Sequence, residues 1–397
     1  MVADPRARTD GIGWVTRAVF DDPGLRLEIG DDPAAAARYA VLPDLDRARF
    51  LLPLGSRTVT AASVLAYNAL RPPRVRASRA AIGLLARAGA LRLTRAPVLS
   101  VHVPAGAELL WDHLAGLLDV PRLHAAIGIR PPDPHHKPTL QLFDDAGRPR
   151  GYAKIGWNDG TRAMVRAEVA ALASLPPPGG DLPTVPRLLR RLRWHDREVA
   201  VIEPMPPGVR RIDRPDVPRT AVMLAVARRG GPAAAPQPAA RFLDTLRRRS
   251  APAVDGAIDA LLARDGEVPV ELGDWHGDWV PWNMARHRGE ILLWDWENSG
   301  SGVPVGFDLA HQAFQTALST RRRPAAECAD AVDAALSAYG PALGLAPQAR
   351  RFVADAYLIE LWLRTRELSA GGAGWNPKLH PALLHVLAAR LGSPLEV

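Results

Sequence analysis

A proline-rich break at Glu203-Pro-Met-Pro-Pro-Gly208 divides this sequence into two parts of opposite character, and it narrows the possible folds more than any other feature. Before the break, residues 123–129, 139–143 and 151–157 are short apolar runs with strand character. The connection 144–150 carries the Asp, Gly and Pro of a hairpin turn, so these three strands are expected to be antiparallel neighbours. Residues 163–175 put Val165, Val169 and Leu172 on one helical face and stop at Pro176. Residues 188–194 and 198–203 read as two more strands. After the break the pattern is helical from Thr220, interrupted by a block at 271–302 dense in Trp, Asp and Gly. Helices resume at Asp308, with breaks at Pro324, Pro341 and 371–377. Strands and helices segregated along a chain in this way indicate an α+β protein.

Residues 1–105 carry less signal. They hold an apolar run at 50–54 and two helical stretches, 58–70 and 77–91, separated by Arg71-Pro-Pro, and 106–120 follows as an amphipathic helix. The expected organisation is an N-terminal extension over 1–105 with no assignable chemistry, a sheet-bearing part over 106–205 and a helical part over 206–397.

With 397 residues, 47% of them hydrophobic and 23% charged, the chain has the makeup of a globular protein large enough for a substantial core. The net charge of +8 comes from an unusual excess of Arg, because only Lys137, Lys154 and Lys378 are lysines among the 50 basic residues. Arginine rises here together with Ala, Pro, Gly and Leu, as in a GC-rich coding sequence, so the charge is not taken as the footprint of nucleic acid. The same scarcity makes a lysine in a suggestive place stand out. A single cysteine, Cys328, rules out an intramolecular disulfide and a cysteine zinc cluster, and indicates a reducing compartment. Charged residues at Asp4, Arg6, Arg8 and Asp10 are unlike a signal peptide, and no apolar run reaches about 18 residues. The expectation is a cytoplasmic protein with no membrane partner.

The chemistry is concentrated in His276-Gly-Asp278-Trp-Val-Pro-Trp-Asn283 and in Ile291-Leu-Leu-Trp-Asp295-Trp-Glu297. Phosphoryl transfer requires a group that orients or deprotonates the attacking hydroxyl, and oxygen ligands for a magnesium ion on the phosphates. An Asp five residues before an Asn lets one loop supply both, and a second Asp at the end of a neighbouring strand completes the oxygen set. No His or Cys is required for a cation as hard as Mg²⁺.

This block resembles the catalytic-loop and metal-site motifs of the aminoglycoside phosphotransferase and choline kinase-like superfamily, and Gly306-Phe-Asp308-Leu-Ala310 resembles the segment that follows in that family. The resemblance covers about 35 residues. It implies a protein-kinase-like two-lobe fold, with a small antiparallel-sheet N-lobe and a mainly helical C-lobe. It further implies ATP or GTP and Mg²⁺ as cofactors, Asp278 as catalytic base, Asn283 and Asp295 as metal ligands, and His276 and Asp308 as structural supports. Such a fold also needs a strand lysine for the phosphates and a helical glutamate to hold it. Lys154 lies on the third strand of the first part, and Glu168 is the only acidic residue between Gly160 and Gly180. On the same analogy the backbone from Glu203 to Met205 meets the adenine. The loop 130–138 contains no glycine, so backbone cradling of phosphate is not expected there, and Lys137, His135 or His136 is the alternative contact.

Each residue taken alone has a plainer reading. A His-Gly-Asp triplet is more often a turn than a site, Glu297 divides evenly between metal and solvent, and tryptophans beside a catalytic loop more often pack a core than stack on a ligand. The set taken together favours a small-molecule kinase that phosphorylates a hydroxyl of a sugar, metabolite or antibiotic. The alternative is a catalytically silent module that only binds nucleotide. From Ser301 to Val397 there are 8 acidic and 9 basic residues, a balance that does not favour a polycationic acceptor.

Overall fold

The computed structural model describes residues 12–20, 22–66, 70–129, 136–175, 181–212, 217–229, 231, 235–249, 251–370 and 379–392. The chain forms two compact units, one of residues 1–169 with 186–211 and one of 170–185 with 212–397.

The first unit is built on a nine-stranded, wholly antiparallel sheet. Its strands are β1 (Arg26–Ile29), β2 (Ala37–Leu42), β3 (Phe50–Pro53), β4 (Val98–His102), β5 (His124–Gly128), β6 (Thr139–Phe143), β7 (Pro149–Gly156), β8 (Leu188–Trp194) and β9 (Arg197–Ile202), in the order β1-β4-β2-β3-β5-β6-β7-β9-β8. Helices α1 (Gly13–Val19), α2 (Arg57–Leu65), α3 (Pro73–Arg87), α4 (Leu110–Leu117) and α5 (Asp159–Ser174) accompany it. Successive strand residues point to opposite faces, and the core divides accordingly. Tyr39, Val41, Ala125, Ile127, Ala153, Ile155, Val199 and Val201 pack with Trp14 of α1 and Trp111 of α4. Their neighbours Ala40 and Leu52 pack with Val64 of α2, Ala126 packs with Val59 of α2, and Ala200 packs with Val165 and Val169 of α5.

Two features differ from the sequence reading. Strands β1–β4, which lie within the stretch read as an N-terminal extension, are hydrogen-bonded into the same sheet as β5–β9 through the β3–β5 pair. The helix expected to start at 163 begins at Asp159, because the Asn158 side chain caps it by accepting the Thr161 N–H at 2.8 Å. The β6–β7 hairpin turns as expected, with Gly147 N–H donating to the Asp144 carbonyl at 2.8 Å. The glycine-free stretch 130–135 and the break at 371–377 lie outside the described residues.

The second unit holds α6 (Thr220–Ala227), α7 (Ala240–Arg248), α8 (Pro252–Asp265), α9 (Phe307–Gln315), α10 (Ala325–Tyr339), α11 (Pro347–Ala370) and α12 (Leu379–Leu391). Among them lie three two-stranded pairs: β10 (Gln237–Pro238) with β11 (Pro269–Val270), β12 (Leu272–Trp275) with β15 (Gly300–Pro304), and β13 (Met284–His287) with β14 (Glu290–Leu293). Helix α11 is buried all round from Phe352 to Leu363 and forms the centre of the core with Phe242, Phe307, Phe314 and Leu383. Its interior charges are paired, Glu360 with Arg249 at 2.7 Å and Asp355 with Arg264 at 2.6 Å, as burial of charge requires. Among the described residues no helix is long and apolar enough to cross a membrane.

Candidate active site

In the first unit Lys154 occupies the β7 position between Thr139 of β6 and Ala200 of β9. Its strand neighbours Ala153 and Ile155 face the other way, so Lys154 shares the Ala200 face on which α5 lies. On α5, Glu168 follows Val165 by three residues and adjoins Val169, so it presents to the same face. Lys154 Nζ and Glu168 Oε1 meet at 2.5 Å, with side chains 6% and 1% exposed. Lys154 and Glu168, paired on sequence grounds, are therefore in contact in the structure.

Directly after β9, Glu203 donates its backbone N–H to the Arg187 carbonyl at 2.8 Å. Its side chain pairs with Arg187 at 2.9 Å, and that hydrogen bond holds the Glu203 carboxyl below its ordinary range. The N–H and the carboxylate of Glu203 are thus both engaged by Arg187, and Met205 follows in irregular, half-buried chain.

In the second unit the loop after β12 is held from below by α9. Asp308, the second residue of that helix, accepts the backbone N–H of His276 at 2.9 Å and of Gly277 at 3.1 Å. Burial pushes the Asp308 carboxyl up to about 7, against the opposing pull of those two N–H groups and of Arg364. Gly277 has φ +78°, and a Cβ there would stand 2.0 Å from the Asn298 carbonyl oxygen, so only glycine fits.

His276 lies fully buried, its ring edge-on to Trp296 at 4.6 Å between centroids. Its Nε2 faces the Trp294 carbonyl at 3.1 Å and must donate, while Nδ1 accepts the Asp278 N–H at 3.2 Å. Burial pushes this imidazole down to about 4, consistent with one proton on Nε2. His276 thus ties the start of the loop to the end of β14 and carries no charge at neutral pH.

Asp278 keeps 32% of its side chain exposed. Burial works against its charged form, but a hydrogen bond from His311 and the fields of His311, His276 and Arg364 outweigh it and hold the carboxyl down at about 2. Asn283 Nδ2 donates to Asp278 Oδ2 at 2.7 Å and to the Asp278 carbonyl at 3.2 Å. That orientation turns Asn283 Oδ1 away from Asp278.

Asn283 and Asp295 flank the open end of the β13–β14 hairpin, where Trp294 N–H donates to the Asn283 carbonyl at 3.1 Å. Thr184 braces the outer side of β14, taking the Leu293 N–H at 2.9 Å and giving its own to Ile291 at 2.8 Å. Asp295 itself has φ +65°, a left-handed conformation that Asp tolerates better than most residues and that is common at functional positions. The carboxylate oxygens of Asp295 and Glu297 come within 4.8 Å of one another. An amide oxygen with one or two carboxylates is a hard-oxygen donor set, which suits Mg²⁺.

Of the five tryptophans in the block, Trp275, Trp279 and Trp296 are buried and Trp294 is half-buried, in line with the packing reading; Trp282 is 48% exposed. Three residues around the loop lay outside the sequence argument: His311 of α9, and Tyr357 and Arg364 of α11. His311 meets Asp278 Oδ1 at 3.1 Å, Tyr357 meets His311 Nδ1 at 3.1 Å, and Arg364 donates to the Gly277 carbonyl at 2.6 Å. For His311 a signal existed, since it stands three residues after Asp308 and hence on the same face of the helix.

No protein-family model matches the chain, and no curated protein sequence matches it. Solved structures do resemble it. Aminoglycoside phosphotransferase APH(4)-Ia, as a thermostable mutant in ternary complex with ADP and hygromycin B, is 12% identical with a TM-score of 0.46, the match covering 72% of this chain and 99% of that one. Choline kinase LicA from Streptococcus pneumoniae is 12% identical with a TM-score of 0.42, covering 64% and 89%. A choline/ethanolamine kinase family protein from Mesorhizobium loti is 15% identical with a TM-score of 0.37, covering 71% and 95%. With TM-scores below 0.5, these likenesses leave the chemistry of this chain to be judged from its own residues.

Proposed function

We propose that this chain is a small-molecule kinase that moves the γ-phosphoryl group of ATP, or of GTP, to a hydroxyl group with the help of Mg²⁺. The observation that carries the reading is the coupling of Asp278 to Asn283 in one loop, with Asp295 beside Asn283 at the end of the same hairpin. An acid that faces an acceptor, an amide and a second acid that suit a metal, and a separate strand lysine held by a helical glutamate are the parts a kinase-type phosphotransferase uses.

In this reading Lys154, held by Glu168, contacts the nucleotide phosphates, and the Glu203 carbonyl and Met205 N–H meet the base. Asn283 Oδ1 and Asp295 hold the metal ion, which when bound offsets phosphate charge. Asp278 accepts a hydrogen bond from the acceptor hydroxyl. As that oxygen bonds to the γ-phosphorus and the bond to the β-phosphate oxygen breaks, the hydroxyl proton passes to Asp278 and the nucleoside diphosphate departs. With one oxygen accepting from Asn283 and the other from His311, the charged carboxylate is stabilised and is a weak base, so it orients the hydroxyl and takes the proton late.

The acceptor we favour carries no excess positive charge. Of the acidic residues after Ser301, Glu327, Asp333, Asp355, Glu360 and Glu367 are already paired with arginines, and Asp308 is buried under the loop. Few carboxylates of that stretch remain to attract a polycation. A single buried thiol, Cys328, and an ATP-consuming reaction both suit a cytoplasmic setting.

The test is nucleotide consumption, and phosphate transfer read by mass spectrometry, across a panel of hydroxylated acceptors with Mg²⁺. Wild type is expected to phosphorylate at least one acceptor, and Asp278→Ala is expected to lose at least about 100-fold in turnover with an unchanged circular dichroism spectrum. Full activity in Asp278→Ala would remove the mechanism, and binding of nucleotide without any turnover in wild type would favour a silent module instead.

A further inference from the structure

We propose that His311 is a positioning residue for Asp278, fixed as the neutral Nε2–H tautomer so that its one proton is aimed at the carboxylate. This inference rests on the functional reading above and goes beyond it, since neither the sequence motif nor the metal set requires a histidine at this place.

The argument starts from the partners of the ring. On one side, Nδ1 lies 3.1 Å from the Tyr357 hydroxyl and 3.3 Å from Arg364 Nη2. A guanidinium has only donors and does not lose its proton in proteins, so Nδ1 must present a lone pair. Tyr357 is therefore also a donor there, and the ring's single proton is on Nε2. On the other side Nε2 lies 3.1 Å from Asp278 Oδ1. A second proton on the ring would sit on Nδ1 and point at Arg364, an arrangement that the local charge opposes. Burial, with the Arg364 charge beside it, also lowers the His311 pKa, while Asp278 works the other way.

The consequence concerns geometry at the carboxylate. Asp278 Oδ2 takes the Asn283 amide at 2.7 Å and Oδ1 takes the His311 N–H, so both oxygens are tethered and the carboxylate plane is set by two elements, the loop and α9. Arg364 anchors the same arrangement through the Gly277 carbonyl, and its guanidinium lies 5.2 Å from the Trp275 ring centre. Each carboxylate oxygen has two lone-pair directions, so one stays available for an acceptor hydroxyl. Holding a catalytic group in a near-attack orientation is worth orders of magnitude in rate, and a contact on the group rather than on the substrate affects kcat more than KM.

The experiment has two arms. In the first, long-range ¹⁵N–¹H NMR on histidine-labelled protein, assigned with His311→Gln, reads the ring tautomer and needs no substrate; the Nε2–H form is expected from pH 6 to pH 8. A ring protonated on Nδ1, or doubly protonated, overturns the proposal. In the second, kinetics are compared for His311→Leu, His311→Asn and His311→Gln. The Gln amide nitrogen can occupy the place of Nε2 and donate to Asp278, whereas Asn reaches only the place of Nδ1. We expect kcat to fall at least about 10-fold in His311→Leu and His311→Asn with acceptor KM within twofold, and His311→Gln to recover most of it. Circular dichroism and melting temperature separate a misfolded variant from an impaired one, and His311→Gln serves if the leucine variant does not fold. Full kcat in His311→Leu, or no recovery in a folded His311→Gln, overturns the role while leaving the kinase reading intact. A wild type that transfers no phosphate overturns that reading and this role with it.

Discussion

Asn283 donates its side-chain amide to the carboxylate of Asp278 at 2.7 Å and to the carbonyl of the same residue at 3.2 Å, so two groups five residues apart act as one. The amide has two ends, and committing its nitrogen to Asp278 decides where its oxygen points. Removing it should therefore do two things at once. Asn283→Ala is expected to raise the Mg²⁺ concentration needed for half-maximal rate by about 10- to 100-fold and to lower kcat, because the proposed ligand and the tether to Asp278 would both be lost. Magnesium titration of the steady-state rate checks this, and an unchanged magnesium requirement would argue against Asn283 as a ligand.

Gly277 is the residue of the loop with the least freedom to change. Its φ of +78° and the 2.0 Å approach of a notional Cβ to the Asn298 carbonyl combine a backbone penalty with a steric one. Gly277→Ala should destabilise the second unit by more than about 1 kcal/mol, visible as a lowered denaturant midpoint. An unchanged midpoint would mean that the 298 segment moves aside at little cost.

The clustering of the candidate residues was more legible in the sequence than the sheet was, for reasons that are physical. Asp278, Asn283 and Asp295 are set by a loop and a hairpin within 18 residues, and Asp308 by the helix that follows, so their spacing carries the geometry. Lys154 and Glu168 were legible because a strand register and a helical repeat each specify a face. Strand β1, by contrast, is four residues long with mostly exposed side chains, and it pairs with β4 some seventy residues away, so neither alternation nor a turn marks it. That is why 1–105 looked like an appendage. Tyr357 and Arg364 were hidden for a related reason. They belong to the central helix α11, whose apolar residues surround it on every side and leave no stripe by which a functional face could be recognised.

The Lys154–Glu168 pair separates stability from activity. Both side chains are nearly inaccessible, so removing one partner takes from the other the counter-charge it meets at 2.5 Å, at a cost of roughly 3–5 kcal/mol. Lys154→Met should therefore lower both the melting temperature and the affinity for nucleotide. The double variant Lys154→Met with Glu168→Leu should regain much of the melting temperature and none of the affinity. Calorimetric unfolding combined with nucleotide titration reads the two quantities apart. Restored nucleotide binding in the double variant would show that the lysine has no part in holding phosphate.

Asp144 offers a test by pH. It sits in the β6–β7 turn with its side chain 9% exposed, accepting the Arg148 N–H at 2.9 Å and the guanidiniums of Arg150 at 2.8 Å and Arg148 at 3.0 Å. Burial alone would raise its pKa, but these partners outweigh burial and hold the carboxyl below its ordinary range. A carboxyl whose pKa is lower in the folded than in the unfolded chain contributes stability that is fully present above the unfolded value, about 3.9, and that fades as pH falls through the folded one. Wild type should thus melt above Asp144→Asn at pH 7, and the gap should narrow steadily below pH 4 as both come to carry a neutral side chain. The turn also fixes the register that brings Lys154 opposite Thr139. If the gap is set by charge at this turn, it should shrink with acid while nucleotide affinity at pH 7 changes little; a gap independent of pH would assign it to lost hydrogen-bond geometry instead.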